Sequence, residues 1–102
     1  MKAGTGQRMR LTARQLKSFD LNLLVALDAL LSERSVTLAA QRCAISQPSM
    51  SVALRRLREY FADPLLIAHG RELRLSAHAR ALAGPVRETL AMLRAMLRTH
   101  SG

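Results

Sequence analysis

Between Ser35 and Phe61 the chain reads as two helices joined by a turn of three residues, Ala44-Ile45-Ser46, and few folds accommodate that arrangement. Ser35 suits the N-cap of a short helix over Val36 to Cys43, in which Leu38, Ala39, Ala40 and Cys43 are available for burial. The small Ala39-Ala40 pair lets another helix approach closely. Ser46 caps the next helix, and Pro48 falls in its first turn, where a missing N–H costs nothing. That helix runs to about Phe61 and has two faces. Met50, Leu54, Leu57 and Phe61 share one by helical spacing, and Gln47, Ser51, Arg55 and Arg58 share another, with Arg56 and Glu59 flanking. Polar outer residues are routine on an amphipathic helix, so the face alone decides nothing. A short helix, a tight turn and a second capped helix, however, make a helix-turn-helix, whose second member enters the major groove. There Gln can pair with adenine, Arg with guanine, and Ser or a helix N-terminus can hold phosphate.

Charge favours the same partner. The chain of 102 residues carries 16 Lys+Arg against 7 Asp+Glu, a formal charge of +9, and 14 of the 16 are Arg. Arginine presents a planar fork suited to phosphates and guanine edges, although a solvated basic surface has the same composition. Apolar residues make up 49%, too many for a disordered basic tail. Leu (19) and Ala (16) dominate them, which predicts a mainly α domain. A single cysteine, Cys43, excludes an internal disulfide, and His69, His78 and His100 lack metal-ligand spacing, so neither metal nor cofactor is expected. No apolar run suits a membrane span and the start lacks a signal peptide's apolar stretch, so the expectation is a cytoplasmic, nucleoid-associated protein with no membrane partner.

Three segments follow along the chain. Residues 1–17 show no sustained periodicity and read as a flexible basic arm; residues 18–75 hold the winged helix-turn-helix; residues 76–102 form a linker helix. Asp20 caps the first helix with Phe19 stapled on Leu24, and Leu23, Leu24, Leu27, Leu30 and Leu31 form its apolar stripe. After Ala62-Asp63-Pro64, the run Leu65-Leu66-Ile67, the turn-like His69-Gly70-Arg71-Glu72 and the alternating Leu73-Arg74-Leu75 predict a small β-hairpin wing. Arg71 at its tip and Arg74 beside it are placed to reach phosphate or a minor groove. Ser76 caps the final helix, which runs to about Thr99; Gly84-Pro85 inside it leaves a kink or a break open. Ala79, Ala83, Val86, Leu90, Leu93 and Leu97 keep the spacing of a heptad seam. Either this helix packs only on the first helix of its own chain, or Val86, Leu90, Leu93 and Leu97 pair with a second copy.

Four stretches carry a resemblance: Phe19-Asp20-Leu21-Asn22-Leu23-Leu24, Val36-Thr37-Leu38-Ala39-Ala40, Ile45-Ser46-Gln47-Pro48-Ser49-Met50-Ser51 and Leu54-Arg55-Arg56-Leu57-Arg58. Together they resemble the DNA-binding domain of bacterial LysR-type transcriptional regulators. The opening Asp20-Leu21-Asn22-Leu23-Leu24 and the wing Gly70-Arg71-Glu72-Leu73 are closest to the NodD-like branch, and the match covers about residues 16–98. The resemblance implies a winged helix-turn-helix that binds an interrupted palindrome of double-stranded DNA as a homodimer through the C-terminal helix. Gln47, Pro48 and Ser49 then begin the recognition helix, Ser51 and Arg55 face DNA, and Arg71 lies on the wing. Two departures stand out. Where many members carry Phe-x-Arg this chain has Leu66-Ile67-Ala68, which removes one wing contact. The chain also ends at His100-Ser101-Gly102, without the family's effector-sensing domain, so no small-molecule inducer is expected.

Catalysis is not expected, since no nucleophile–base–acid set is visible. The alternative to DNA binding is a protein-interaction module that pairs with a full-length regulator through the linker helix. That alternative needs Val86, Leu90 and Leu93 but neither Gln47 nor Arg55.

Overall fold

A computed structural model describes residues 11–99. The element order is α1 (Ala13–Ser18), α2 (Leu21–Glu33), α3 (Val36–Cys43), α4 (Gln47–Phe61), β1 (Leu66–His69), β2 (Glu72–Leu75) and α5 (Ala77–Thr99). Side-chain caps start four of the five helices where the sequence places them or nearly so. Asp20 accepts from the Asn22 N–H, Ser35 from Leu38, Ser46 from Ser49 and Ser76 from Ala79. Each cap satisfies a backbone donor that a first helical turn leaves open, typically contributing about 1 kcal/mol.

The fifth cap corrects the sequence reading. Residues 13–17, read from the sequence as part of a flexible basic arm without helical periodicity, lie in α1, started by a capping box in which Thr12 and Gln15 satisfy each other's backbone N–H. Residues 1–10 of the expected arm, and 100–102 of the expected linker helix, lie outside the described residues.

The core is one apolar cluster shared by all the larger helices. Ala26, Leu27, Leu30 and Leu31 of α2, Ala39 and Ala40 of α3, and Met50, Leu54 and Leu57 of α4 are buried together. The zero exposure of Ala39 and the near-zero exposure of Ala40 show why small residues are needed where α3 meets its neighbours. Arg42 bridges α3 to α2 from outside, its guanidinium 3.3 Å from both Asp28 and Glu33. Burial pushes the Cys43 thiol up, so it packs as a small neutral side chain.

Helix α5 runs through Gly84 and Pro85 without a break. Its register buries Ala79 before the proline and Val86 and Leu90 after it, and that packing outweighs a helix-interior proline's penalty of about 3 kcal/mol. The same burial settles where the seam goes. Val86 and Leu90, expected at a dimer interface, are 6% and 4% exposed and belong to this chain's own core, with α5 packed on α2. Leu93 is half-buried at the edge of that core. Leu97 alone of the four is open, at 59% exposure, and Met92 and Met96 beside it are open too, at 66% and 59%.

Candidate nucleic-acid interface

Helix α4 seals one face into the core and leaves the other bare. Met50, Leu54 and Leu57 are buried, whereas Gln47, Pro48, Ser49, Ser51, Arg55 and Arg56 are exposed on the outer side. The turn before it is tight because Ala44 takes a left-handed conformation, φ 57°, and the Ile45 N–H returns to the Ala40 carbonyl at 3.0 Å. That conformation costs an alanine about 1 kcal/mol, and it aims the N-terminus of α4 outward. At that terminus the Ser46 hydroxyl donates to Ser49 Oγ and accepts the Ser49 N–H, so Ser49 completes the cap. Gln47, Ser51 and Arg55 form one exposed row of amide, hydroxyl and guanidinium groups able to meet base edges.

The wing is a two-stranded antiparallel hairpin in which Leu66 pairs with Leu75 and His69 with Glu72. Gly70 and Arg71 are the whole connection, and Gly70 has φ +64°, the positive value that a two-residue turn demands of its first position. Arg71 therefore sits at the tip and Arg74 on the outward face opposite Ile67, both exposed. Leu73 and Leu75 point the other way and pack on the core with Leu65 and Leu66.

Arg58 behaves differently from the rest of its row. Its Nε donates to the Pro64 carbonyl at 2.7 Å and an Nη to the Leu66 carbonyl at 3.0 Å. The structure thus ties this guanidinium to the base of the wing, where helical spacing had grouped it with Gln47, Ser51 and Arg55 as a DNA contact. Spacing cannot see those partners, because the carbonyls come from the loop and the first residue of β1, beyond the end of the helix.

Two further groups have no signal in the periodicity. Asp63 Oδ2 accepts from the Leu65 N–H at 2.8 Å and from Ser76 Oγ at 2.6 Å, joining the end of α4, the wing and the cap of α5. The Ser76 hydroxyl, then the Leu65 N–H, then the nearby His78 hold the Asp63 carboxyl below its ordinary pKa of 3.8. A folded pKa below the unfolded one means stability that is full above pH 3.8 and lost as pH falls through the lower folded value. Asp63→Asn should therefore lower the thermal midpoint at neutral pH and flatten its fall below that point. An unchanged acid limb would show that Asp63 contributes no linkage. The second group is aromatic: Phe19 sits with its ring 4.8 Å from Tyr60, Tyr60 5.0 Å from Phe61, and Phe61 5.5 Å from His78. Phe19, Tyr60 and Phe61 line a groove of about 380 Å³ together with Leu16, Leu24 and Val86.

Among the described residues, no helix is long and apolar enough to cross a membrane, and no three His, Cys, Asp or Glu residues gather as a metal site.

Comparison with known proteins agrees with this geometry. The family model described as "Bacterial regulatory helix-turn-helix protein, lysR family" matches residues 21–80, from the start of α2 into α5. Nodulation protein D of Bradyrhizobium sp. (strain ANU 289) is 61% identical over 74 residues, which are 72% of this chain and 22% of that protein. Nodulation protein D 2 of Rhizobium leguminosarum bv. phaseoli is 60% identical over 74 residues, 72% of this chain and 23% of that one. The chain thus spans less than a quarter of the length of these relatives. The crystal structure of probable transcriptional regulator PA0477 from Pseudomonas aeruginosa superposes with a TM-score of 0.75 at 39% identity, covering 80% of this chain and 27% of that one. The BenM DBD/catB site 1 DNA complex superposes with a TM-score of 0.74 at 23% identity, covering 81% of this chain and 93% of that one, a likeness of fold.

Proposed function

This chain belongs to the lysR family of bacterial regulatory helix-turn-helix proteins, and from that membership we propose that it binds an interrupted palindrome of double-stranded DNA as a homodimer. It is the helix-turn-helix DNA-binding domain of a NodD-like regulator, and the proposal concerns how that domain meets its site. The observation that carries it is the split of α4, with Met50, Leu54 and Leu57 sealed inward and Gln47, Ser51 and Arg55 left open outward. In the proposed complex α4 lies in the major groove, where Arg55 reads a guanine edge and Gln47 an adenine or a phosphate. Ser51 adds a hydroxyl contact, and the capped N-terminus with Pro48 and Ser49 approaches the backbone. Arg71 and Arg74 reach from the wing to phosphate or to the minor groove.

The homodimer part rests on the end of α5. At 1.5 Å per residue this helix is about 34 Å long, and its last turns outrun the core of its own chain. Met92, Met96 and Leu97 are the apolar residues left open there, and pairing with a second copy covers them. Two-fold pairing also sets two copies of α4 on the two half-sites of one palindrome. The same exposed tail supports a second reading, an interaction module that pairs with a full-length regulator.

Binding-site selection from random DNA, run alongside sedimentation, tests both. The first reading expects an enriched motif with two-fold-related half-sites and a dimer at high concentration. Affinity should also fall steeply with salt through counterion release from phosphates. Self-association with no enriched sequence would favour the interaction module. A monomer that takes single half-sites as well as palindromes would overturn the dimer.

A further inference from the structure

We propose that Arg58 is a positioning residue for the wing: its guanidinium fixes the angle of the hairpin to α4, and so the reach of Arg71, without touching DNA. The inference rests on the DNA-binding reading above.

Only residues 62–65 connect α4 to β1, and two of them are held in the left-handed region, Ala62 at φ 51° and Leu65 at φ 63°. Around Leu65 the Leu66 N–H closes on the Pro64 carbonyl at 2.6 Å, a three-residue turn with positive φ at its centre. Such turns are strained and persist where their surroundings over-determine them. Arg58 and Asp63 supply that determination from two sides. The Arg58 carbonyl accepts the Asp63 N–H at 3.1 Å while its side chain donates to the carbonyls of Pro64 and Leu66. Asp63 in turn holds the Leu65 N–H and the Ser76 hydroxyl, and the Ser76 N–H closes on the Leu65 carbonyl at 2.9 Å.

The carbonyl of Leu66 has reason to want a donor. With His69 and Glu72 flanking a two-residue turn, alternate pairs carry the ladder bonds, and Leu66–Leu75 falls between them. Its carbonyl therefore points out of the sheet edge, where Arg58 takes it. Two donors of one planar fork, one on Pro64 of the loop and one on Leu66 at the start of β1, set an angle as well as a distance. From Leu66 to the tip the hairpin extends about 10 Å, so a tilt of about 20° at its base moves Arg71 by about 3.5 Å, beyond hydrogen-bond reach. Turning the guanidinium toward a phosphate instead would take the Arg58 donor from the Leu66 carbonyl and leave the Pro64 carbonyl with the Leu66 N–H alone.

The test is a double-mutant cycle on a mixed-sequence duplex, with Arg58→Met, which keeps the apolar stem, and Arg71→Ala, each titrated with salt. Arg71→Ala should weaken the wild-type chain about tenfold, as loss of one charge-assisted contact does, and the Arg58→Met chain less than about twofold. The salt slope should fall by about one ion in each single variant and no further in the double. Should Arg58→Met lose the folded circular dichroism signal, Arg58→Lys enters the same cycle; its ammonium keeps the charge but cannot hold both carbonyls in one plane, so coupling to Arg71 should again fall. Additive losses, with two ions gone from the slope of the double variant, would make Arg58 a phosphate contact and overturn the proposal. So would a wild-type affinity that ignores Arg71. A wild-type chain that binds no duplex at all would instead remove the DNA-binding reading on which the proposal stands.

Discussion

Leu90→Asp should unfold the chain, whereas Leu97→Asp should leave it folded and, on the proposed dimer, monomeric. Both leucines lie on the same seam of α5, yet one is 4% exposed against α2 and the other 59% exposed. Removing the buried side chain alone costs about 2–5 kcal/mol, and an unpaired carboxylate in its place adds a desolvation penalty. A domain of this size has roughly 5–15 kcal/mol of stability in total, so the substitution takes most or all of it. At Leu97 the carboxylate stays in water and intrachain stability is nearly unchanged, while an apolar surface offered to a second copy is lost. Thermal melts followed by circular dichroism, with sedimentation of the folded variants, separate the two. A folded Leu90→Asp chain would mean that α5 does not pack as described. A Leu97→Asp chain that still dimerises would move the interface elsewhere, the groove lined by Leu16, Phe19 and Tyr60 being the next apolar surface to vary.

Arg55→Ala should weaken specific binding by about 1–3 kcal/mol and relax selection at one position of the site. Arg55 is exposed one turn beyond Ser51 on the outward row of α4, with Leu54 and Leu57 beside it anchoring the helix in the core. The helix is thus held rigidly enough for a guanidinium to be aimed at one base edge. Selection from random DNA with the variant, and affinities on matched and scrambled duplexes, check this. A uniform loss on every sequence would assign Arg55 to phosphate, and no loss at all would remove the outward row as the recognition face.

Much of the molecule is legible in one dimension because the interactions that make it are local. Ser35, Ser46 and Ser76 cap helices by bonding a backbone N–H three residues on, and Asp20 one two residues on, so a short window of sequence contains the whole interaction. The inward face of α4 is legible for a similar reason, since Met50, Leu54 and Leu57 coincide on a helix whatever surrounds it. The wing declares itself through alternation about Gly70-Arg71. Helix α1 carried a local signal as well, in Thr12 and Gln15, but without an apolar stripe of any length behind it.

Apart from α1, sequence alone therefore determined the helices, their caps and the two faces of α4, all set by contacts within about one helical turn. Tertiary structure decided what each face meets. The seam of α5 is the same pattern whether a leucine lands on α2 or on a second copy, and only the path of the chain sends Val86 and Leu90 inward while Leu97 runs past the core. Arg58 is the sharper case, because its spacing matches Gln47, Ser51 and Arg55. The left-handed residues Ala62 and Leu65 fold the loop back until the carbonyls of Pro64 and Leu66 stand beside its guanidinium. A charged side chain takes whichever partners the backbone brings within 3 Å, and that depends on the turn beyond the helix rather than on position along it.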